Sequence, residues 1–394
     1  MRITLLLTAL VLCVSLQAQA DRYKRPVFDS VTRHEINYSD VFSDAEHKAD
    51  VYEPFGDTAA SRPLIIYVHG GSFVSGDKRS ADCVDFCTRF ARLGYVAISV
   101  NYRLAGFLQF LQSKDYQMQT VMRVMADIKA AARYFVVDAN GTRRYRINPN
   151  LIFGGGYSAG AVAILHTAYI DSLSEFTPAE QSLLANSVGT LDGDAGHKGV
   201  QFRFKALYSY AGALNRVSWI NAGEEPVWLS HSRDDGTVSY SCAPGLGLPN
   251  VLELCGTGRL ITRLKAVQVA ADSMMLDGKG HGWPSAGVAN SDFDSSLRAV
   301  ARFLYPMLQQ QSMQASIPVK QTAFEVYPNP GNGLLQLQSA APLSVIQVFS
   351  TDGRLLSEAT PPAGSLHHQL DLRSLPRGLV LIRCGNAVKR VVLE

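Results

Sequence analysis

The sequence is poor in cysteine, with 6 in 394 residues. None of them is spaced with histidine as a zinc site requires, and Cys83-x-x-x-Cys87 has no histidine near it, so no metal and no cofactor are expected. The chain also lacks any block of basic residues and any interleaving of aromatic with basic ones. Its formal net charge is only +3, so nucleic acid is not an expected partner. Beyond the first 20 residues no apolar run is long enough to cross a bilayer. The one sustained run, residues 5–16, is short, follows Arg2 and is followed by Ala18-Gln19-Ala20. That pattern predicts a signal peptide over residues 1–20, with Asp21 as the mature N-terminus. Cys13 has no small residue before it, so no lipid anchor is expected.

Export permits disulfides. Cys242 and Cys255 bracket a Gly/Pro-rich loop and are the expected bridge. Cys83 and Cys87, one helical turn apart, are either bridged or two buried thiols, and Cys384 is expected as a lone core thiol.

What the chain does have is an ordinary globular balance, 47% hydrophobic and 18% charged, in enough length for one large core and a smaller one. Residues 21–52 give weak signals, with an edge strand expected near 47–52. Apolar strand signals at 64–68, 96–100, 151–155, 206–210, 227–230 and 272–276 then alternate with helical patterns at 80–93, 116–137, 159–170 and 292–305. The last pattern is expected to stop at Pro306. Strands separated by helices predict an α/β fold, a mostly parallel sheet covered on both faces. Two stretches interrupt the alternation, 106–115 and 171–202, and either is a candidate cap over a site. Asp192-Gly193-Asp194 lacks the rest of a calcium loop and reads as a turn. At 309–322 the sequence turns polar and aperiodic, as a linker does, and 323–394 holds short alternating strands and turns that fit a small β-sandwich. The expected organisation is therefore 1–20 signal peptide, 21–308 catalytic domain, 309–322 linker and 323–394 β-sandwich.

The chemistry centres on Gly156-Tyr157-Ser158-Ala159-Gly160, a G-x-S-x-G turn between an apolar strand and an Ala-rich helix. A serine hydroxyl needs a base, and the base needs an acid to orient it. His281 lies in Gly278-Lys279-Gly280-His281-Gly282-Trp283, after a strand and before the last helix, which suits a base above the C-terminal sheet edge. His166 is expected to pack against the sheet, His197 to lie exposed in the 171–202 stretch, and His231 to bond its own loop. For the acid, Arg233-Asp234-Asp235-Gly236-Thr237-Val238 offers two aspartates. Asp235 is the choice because Val238 then anchors the loop three residues on; Asp234 is the alternative. Oxyanion donors are expected from His69-Gly70-Gly71-Ser72-Phe73, namely the N–H groups of Gly71 and Ser72, with Ala159. His69 is expected to brace that loop. Phe73, Tyr157 and Trp283 suggest an apolar, aromatic substrate pocket.

These residues in this order resemble the α/β-hydrolase carboxylesterases, in the branch of hormone-sensitive-lipase-like and bacterial feruloyl-esterase-like enzymes. The resemblance rests on Asp50-Val51-Tyr52-Glu53-Pro54, the His69 to Phe73 motif with Ser75-Gly76-Asp77-Lys78, Asn101-Tyr102-Arg103-Leu104, Ala126-Asp127, the Ser158 turn and the Asp235 and His281 loops. It departs at Ser72, where the common motif has a third glycine, and at His231-Ser232-Arg233, where His-Gly-Thr is usual. The resemblance implies an α/β-hydrolase fold and a serine esterase working through Ser158, His281 and Asp235 on a small-molecule or polymer ester. The rival expectations are a serine peptidase of the same fold and a non-catalytic binding protein. The tail, through Tyr327-Pro328-Asn329-Pro330-Gly331, Val348-Phe349-Ser350-Thr351-Asp352-Gly353, Leu370-Asp371-Leu372 and Lys389-Arg390-Val391-Val392, resembles the C-terminal sorting domain of the type IX secretion system of Bacteroidetes. That implies the secretion machinery as partner and a secreted or cell-surface destination.

Overall fold

The computed structural model describes residues 21–316, 324–339, 342–351, 354–362, 364–384 and 387–394. The signal-peptide segment, linker residues 317–322 and the turn at Asp352-Gly353 lie outside the described residues. Two compact units meet at Gln309/Gln310 in the chain.

The first unit is built on an eight-stranded sheet. Its strands are β1 (Val31–Asn37), β2 (Lys48–Pro54), β3 (Arg62–Val68), β4 (Val96–Val100), β5 (Ile147–Tyr157), β6 (Ala206–Tyr210), β8 (Val227–Ser232) and β11 (Ala271–Leu276). They lie in the order β1-β2-β4-β3-β5-β6-β8-β11. Pairings β1·β2 and β2·β4 are antiparallel, and all the others are parallel. The central strands β3, β4 and β6, and β5 from Leu151 on, are buried and mostly apolar because helices cover both faces. On one face, α1 (Ala81–Leu93) and α7 (Ser291–Ser316) bury Phe86, Phe90, Phe293, Leu297 and Leu304. On the other, α3 (Lys114–Asn140) and α4 (Ala159–Tyr169) bury Val121, Met125, Ile128, Val162 and Leu165. Helix α1 ends where the pattern predicts, at Gly94, whose φ of +107° closes the last turn. A three-stranded ribbon of β7 (Ala213–Leu214), β10 (Glu253–Gly256) and β9 (Cys242–Pro244) sits beside the sheet's carboxyl-end loops in sequence. The remaining helices are α2 (Phe107–Gln112), α5 (Pro178–Ser187) and α6 (Thr257–Ala266).

Two expectations are corrected, and the cysteines fall as expected. Strand β2 is an inner strand, with β1 outside it. Its Asp50 is buried and neutralised by Lys78 and Arg79, each 3.1 Å away. Helix α7 runs through Pro306 to Ser316, into the stretch expected to be linker. A mid-helix proline costs about 3 kcal/mol, but continuing the helix buries Leu308 in the same core as Leu304. Cys83 and Cys87 are both free and buried, and Cys242–Cys255 is the disulfide.

The second unit is all antiparallel. One sheet has the order β12-β13-β16 and the other β15-β14-β17-β18. These are β12 (Phe324–Tyr327), β13 (Leu334–Ser339), β14 (Ile346–Ser350), β15 (Leu355–Ala359), β16 (His367–Asp371), β17 (Gly378–Cys384) and β18 (Ala387–Leu393). Phe324, Leu335 and Leu337 of the first sheet share one small core with Ile346, Val348, Val380 and Ile382 of the second. Alternation places every second side chain of these strands inward.

Candidate active site

Strand β5 ends in glycine because there is no room for anything else. A Cβ on Gly156 would lie 2.3 Å from the Val68 carbonyl oxygen, and one on Gly160 would lie 2.1 Å from the same atom. Between them Ser158 takes φ +53°, ψ −122°, a strained conformation for a residue with a side chain. Its N–H is spent on the Tyr210 carbonyl of β6, 2.9 Å away, and its carbonyl accepts the first bond of α4 from Val162. The hydroxyl is therefore lifted off the sheet edge at the positive end of a helix.

Nε2 of His281 lies 2.8 Å from Ser158 Oγ, and its Nδ1 lies 2.7 Å from Asp235 Oδ2. A carboxylate only accepts, so Nδ1 carries the proton and Nε2 is left to receive one from the hydroxyl. The other oxygen of Asp235 accepts from the N–H groups of Thr237 and Val238 at 2.8 and 2.9 Å. Burial works against a charge on Asp235. Bonds from His231 and His281 and from the Val238 N–H overcome it and hold the carboxyl far below the usual range. His231 is buried behind it, with Nε2 donating to the Val238 carbonyl at 2.8 Å. Asp234, the alternative acid, points elsewhere: it accepts from Ser232 Oγ at 2.5 Å and from the Gly280 N–H at 3.2 Å, which ties the two loops together. His166 is buried in α4 and bonded to Asn215, and His197 bonds the Tyr38 carbonyl.

The loop after β3 supplies N–H groups. Gly71, Ser72 and Phe73 have φ of +120°, +55° and +64°, three left-handed residues in a row. Among the described residues no acceptor takes the N–H of Gly71, Ser72 or Ala159. His69 braces this loop. Its Nδ1–H donates to the Gly70 carbonyl at 2.6 Å, its ring stacks on Tyr102 at 4.2 Å, and burial pushes its pKa down to about 4, so it is neutral.

Beside Ser158 is an apolar cavity of about 50 Å³. Phe73 lines it, as do Ser72 and Ala159. Tyr157 does not line it; its hydroxyl donates to the His281 carbonyl at 3.0 Å and its ring lies against the imidazole. Trp283 is corrected outright: it is buried with Tyr210 and Phe293 in the core on the other side of the elbow, where a large ring beside the base packs better than it would at a small cavity. Of the other walls, one comes from a stretch expected as a candidate cap and others from a loop with no such expectation. Phe110 comes from the 106–115 interruption, and Leu246, Val251 and Leu254 come from the disulfide-bracketed loop. The stretch 171–202 lines a different cavity, of about 350 Å³, with Lys129, Arg133, Arg203, Glu224 and Glu225. That larger cavity contains no serine–histidine pair.

The strand order, the serine elbow and the base on the final loop define the α/β-hydrolase class. Residues 49–204 match the BD-FAE family model, and residues 325–393 match the model of the secretion system C-terminal sorting domain. The chain thus carries a BD-FAE esterase domain followed by a sorting domain, and it is a carboxylic ester hydrolase. The sorting domain marks it for type IX secretion, to the cell surface or the medium. No curated protein matches the chain. Among solved structures, Esterase B from Lactobacillus rhamnosis, in a structure with a tributyrin phosphonate, is 15% identical with a TM-score of 0.50 over 78% of this chain and 96% of that one. A truncated carbohydrate esterase from gut microbiota is 16% identical, TM-score 0.50, over 71% and 96%. A bifunctional GH43-CE of Bacteroides eggerthii is 16% identical, TM-score 0.51, over 70% and 35%. These likenesses speak to the fold.

Proposed function

We propose that Ser158, His281 and Asp235 act as a catalytic triad and that the ester is cleaved through an acyl-enzyme. The observation that carries this is the pair of short contacts on His281, 2.8 Å to Ser158 Oγ and 2.7 Å to Asp235. His281 takes the hydroxyl proton as Ser158 attacks the carbonyl carbon. The oxyanion that forms is stabilised by N–H groups of Gly71, Ser72 and Ala159. His281 then gives the proton to the departing alcohol, and water, activated by the same base, releases the acid. Asp235 keeps the imidazole in its working tautomer. Ser158→Ala should lower kcat on p-nitrophenyl acetate by about 10⁵ and abolish fluorophosphonate labelling. Retention of most of the activity would refute the assignment.

We also infer that residues 1–20 are removed on export and that the sandwich from Phe324 onward serves sorting, not catalysis. A chain ending at Ser316 should hydrolyse p-nitrophenyl acetate at nearly the full rate. In a host with the type IX system it should remain in the periplasm. Loss of activity in the purified truncation, or its normal export, would overturn this.

A further inference from the structure

We propose that the loop closed by Cys242–Cys255 sets an upper limit on acyl length in this esterase, with Leu246 as the stop, so that acetyl and propionyl esters are the substrates and longer acyl groups are excluded. This rests on Ser158 being the nucleophile. The cavity that begins at Ser158, Ser72 and Ala159 is on the side where the acyl group must lie if those N–H groups receive the oxyanion. It is apolar and small: about 50 Å³, on the measure by which one water takes roughly 10–15 Å³, which leaves room for only a few heavy atoms. A methyl or ethyl group fits; propyl and longer chains meet Phe110, Leu246, Val251 and Leu254.

The wall is built so that it does not yield. Cys242 and Cys255 face each other across β9 and β10 and close the loop at its base. Within it, Gly245 donates to Leu252 at 3.0 Å and Leu248 to Gly245 at 3.1 Å. The Leu246 N–H donates to the Thr237 carbonyl at 2.8 Å, and the Thr237 N–H in turn donates to Asp235. The buried Gln117 joins the two halves of the wall. Its Nε2 donates to the carbonyls of Phe110 at 2.5 Å and Asn250 at 3.1 Å, and its Oε1 accepts from Leu252 at 2.8 Å. Leu246 itself has φ +58°, flanked by Gly245 and Gly247. A leucine held left-handed costs about 1–2 kcal/mol relative to an ordinary conformation. A loop with two glycines at hand nevertheless places the large side chain there, which is explained if that side chain limits the cavity.

The test is kcat/KM on p-nitrophenyl acetate, propionate, butyrate, hexanoate and octanoate with the full chain. The wild type should drop by at least about tenfold between propionate and butyrate, the usual size of a methylene discrimination. Leu246→Gly suits the left-handed backbone and so should fold. It should raise the hexanoate-to-acetate ratio by about 10- to 100-fold. The pair Cys242→Ala with Cys255→Ala should blur the cutoff in the same direction, while Leu248→Ala, exposed on the same loop, should leave the ratio unchanged. A wild type that cleaves octanoate as well as acetate, or a Leu246→Gly profile identical to wild type, would overturn the length limit while leaving the triad standing. No turnover on any ester together with no fluorophosphonate labelling would overturn both.

Discussion

Two cavities of the first unit lie at opposite ends of one sheet, and the larger of the two is the wrong one for the chemistry. The cavity of about 350 Å³ is walled by residues just before β6 and β8, at the strands' amino ends. Several of its charged groups are engaged within its walls: Arg133 pairs with Asp192, Arg203 with Glu225, and Lys129 donates to the Leu191 carbonyl at 2.7 Å. The cavity of about 50 Å³ lies where β5 ends, and it adjoins a serine, a base held in one tautomer and uncommitted N–H groups. The difference teaches that direction along the sheet outweighs volume. Strands β3, β4 and β5 each hand over to a helix at their carboxyl ends, and the loops after β6, β8 and β11 emerge at the same edge, so helix N-termini and turn residues converge there. The amino ends receive helix C-termini and long insertions, which need charge pairing to be buried at all.

The largest effect is expected at the catalytic end, from altering each of its two neighbouring aspartates. Asp235→Asn should lower kcat on p-nitrophenyl acetate by about 10⁴, because an amide favours the wrong imidazole tautomer. Asp234→Asn should cost about tenfold or less, since it bonds Ser232 and the Gly280 N–H and never reaches the imidazole. Equal losses at the two would mean that the His281 loop's position, and not the Asp235 contact, governs the rate. Steady-state kinetics on the two variants decides between them.

How much of this could be read from the sequence divides along the same line. That Ser158, Asp235 and His281 come together was legible because each sits in a short loop after an apolar strand, and the loops of parallel strands come out on one edge. The left-handed backbone at Gly71 and Ser72 was legible because the paired glycines there signal unusual backbone. The acyl-side walls were not. Leu246, Val251 and Phe110 are ordinary apolar residues, and what brings them together is Gln117, a single buried amide whose partners lie 7 and about 133–135 residues away. The disulfide loop and the 106–115 interruption were visible as oddities, but no periodicity links them. Trp283 was misplaced for a related reason: adjacency to His281 in sequence says nothing about which side of the loop a side chain takes. The run of α7 past Pro306 was missed because a local rule about proline gave way to burial of Leu308 four helical steps or fewer beyond it.

The smallest expected effect sharpens the comparison further, because the two ends should respond to pH with opposite sign. At the catalytic end His69 is buried neutral, its pKa pushed down to about 4 by burial against the ordinary 6.5. Between those values the unfolded chain binds the proton and the folded one does not. This contribution therefore holds above pH 6.5 and is lost as pH falls towards 4, about 2–3 kcal/mol in all. At the other end Glu224 is pushed up to about 7 by burial and by the charge of Glu225, against an ordinary 4.5. There the folded chain binds the proton and the unfolded one does not. Its contribution is present below pH 4.5 and is lost as pH rises through 7, and it is smaller because Glu224 is only half-buried. Denaturant midpoints should follow: His69→Phe, which keeps a ring against Tyr102, should flatten the acid side of the stability curve. Glu224→Gln should flatten the side between pH 5 and 8 and leave kcat/KM unchanged. A Glu224→Gln variant that loses ester turnover would mean that the large cavity takes part in the reaction after all, and the separation of the two ends would fall.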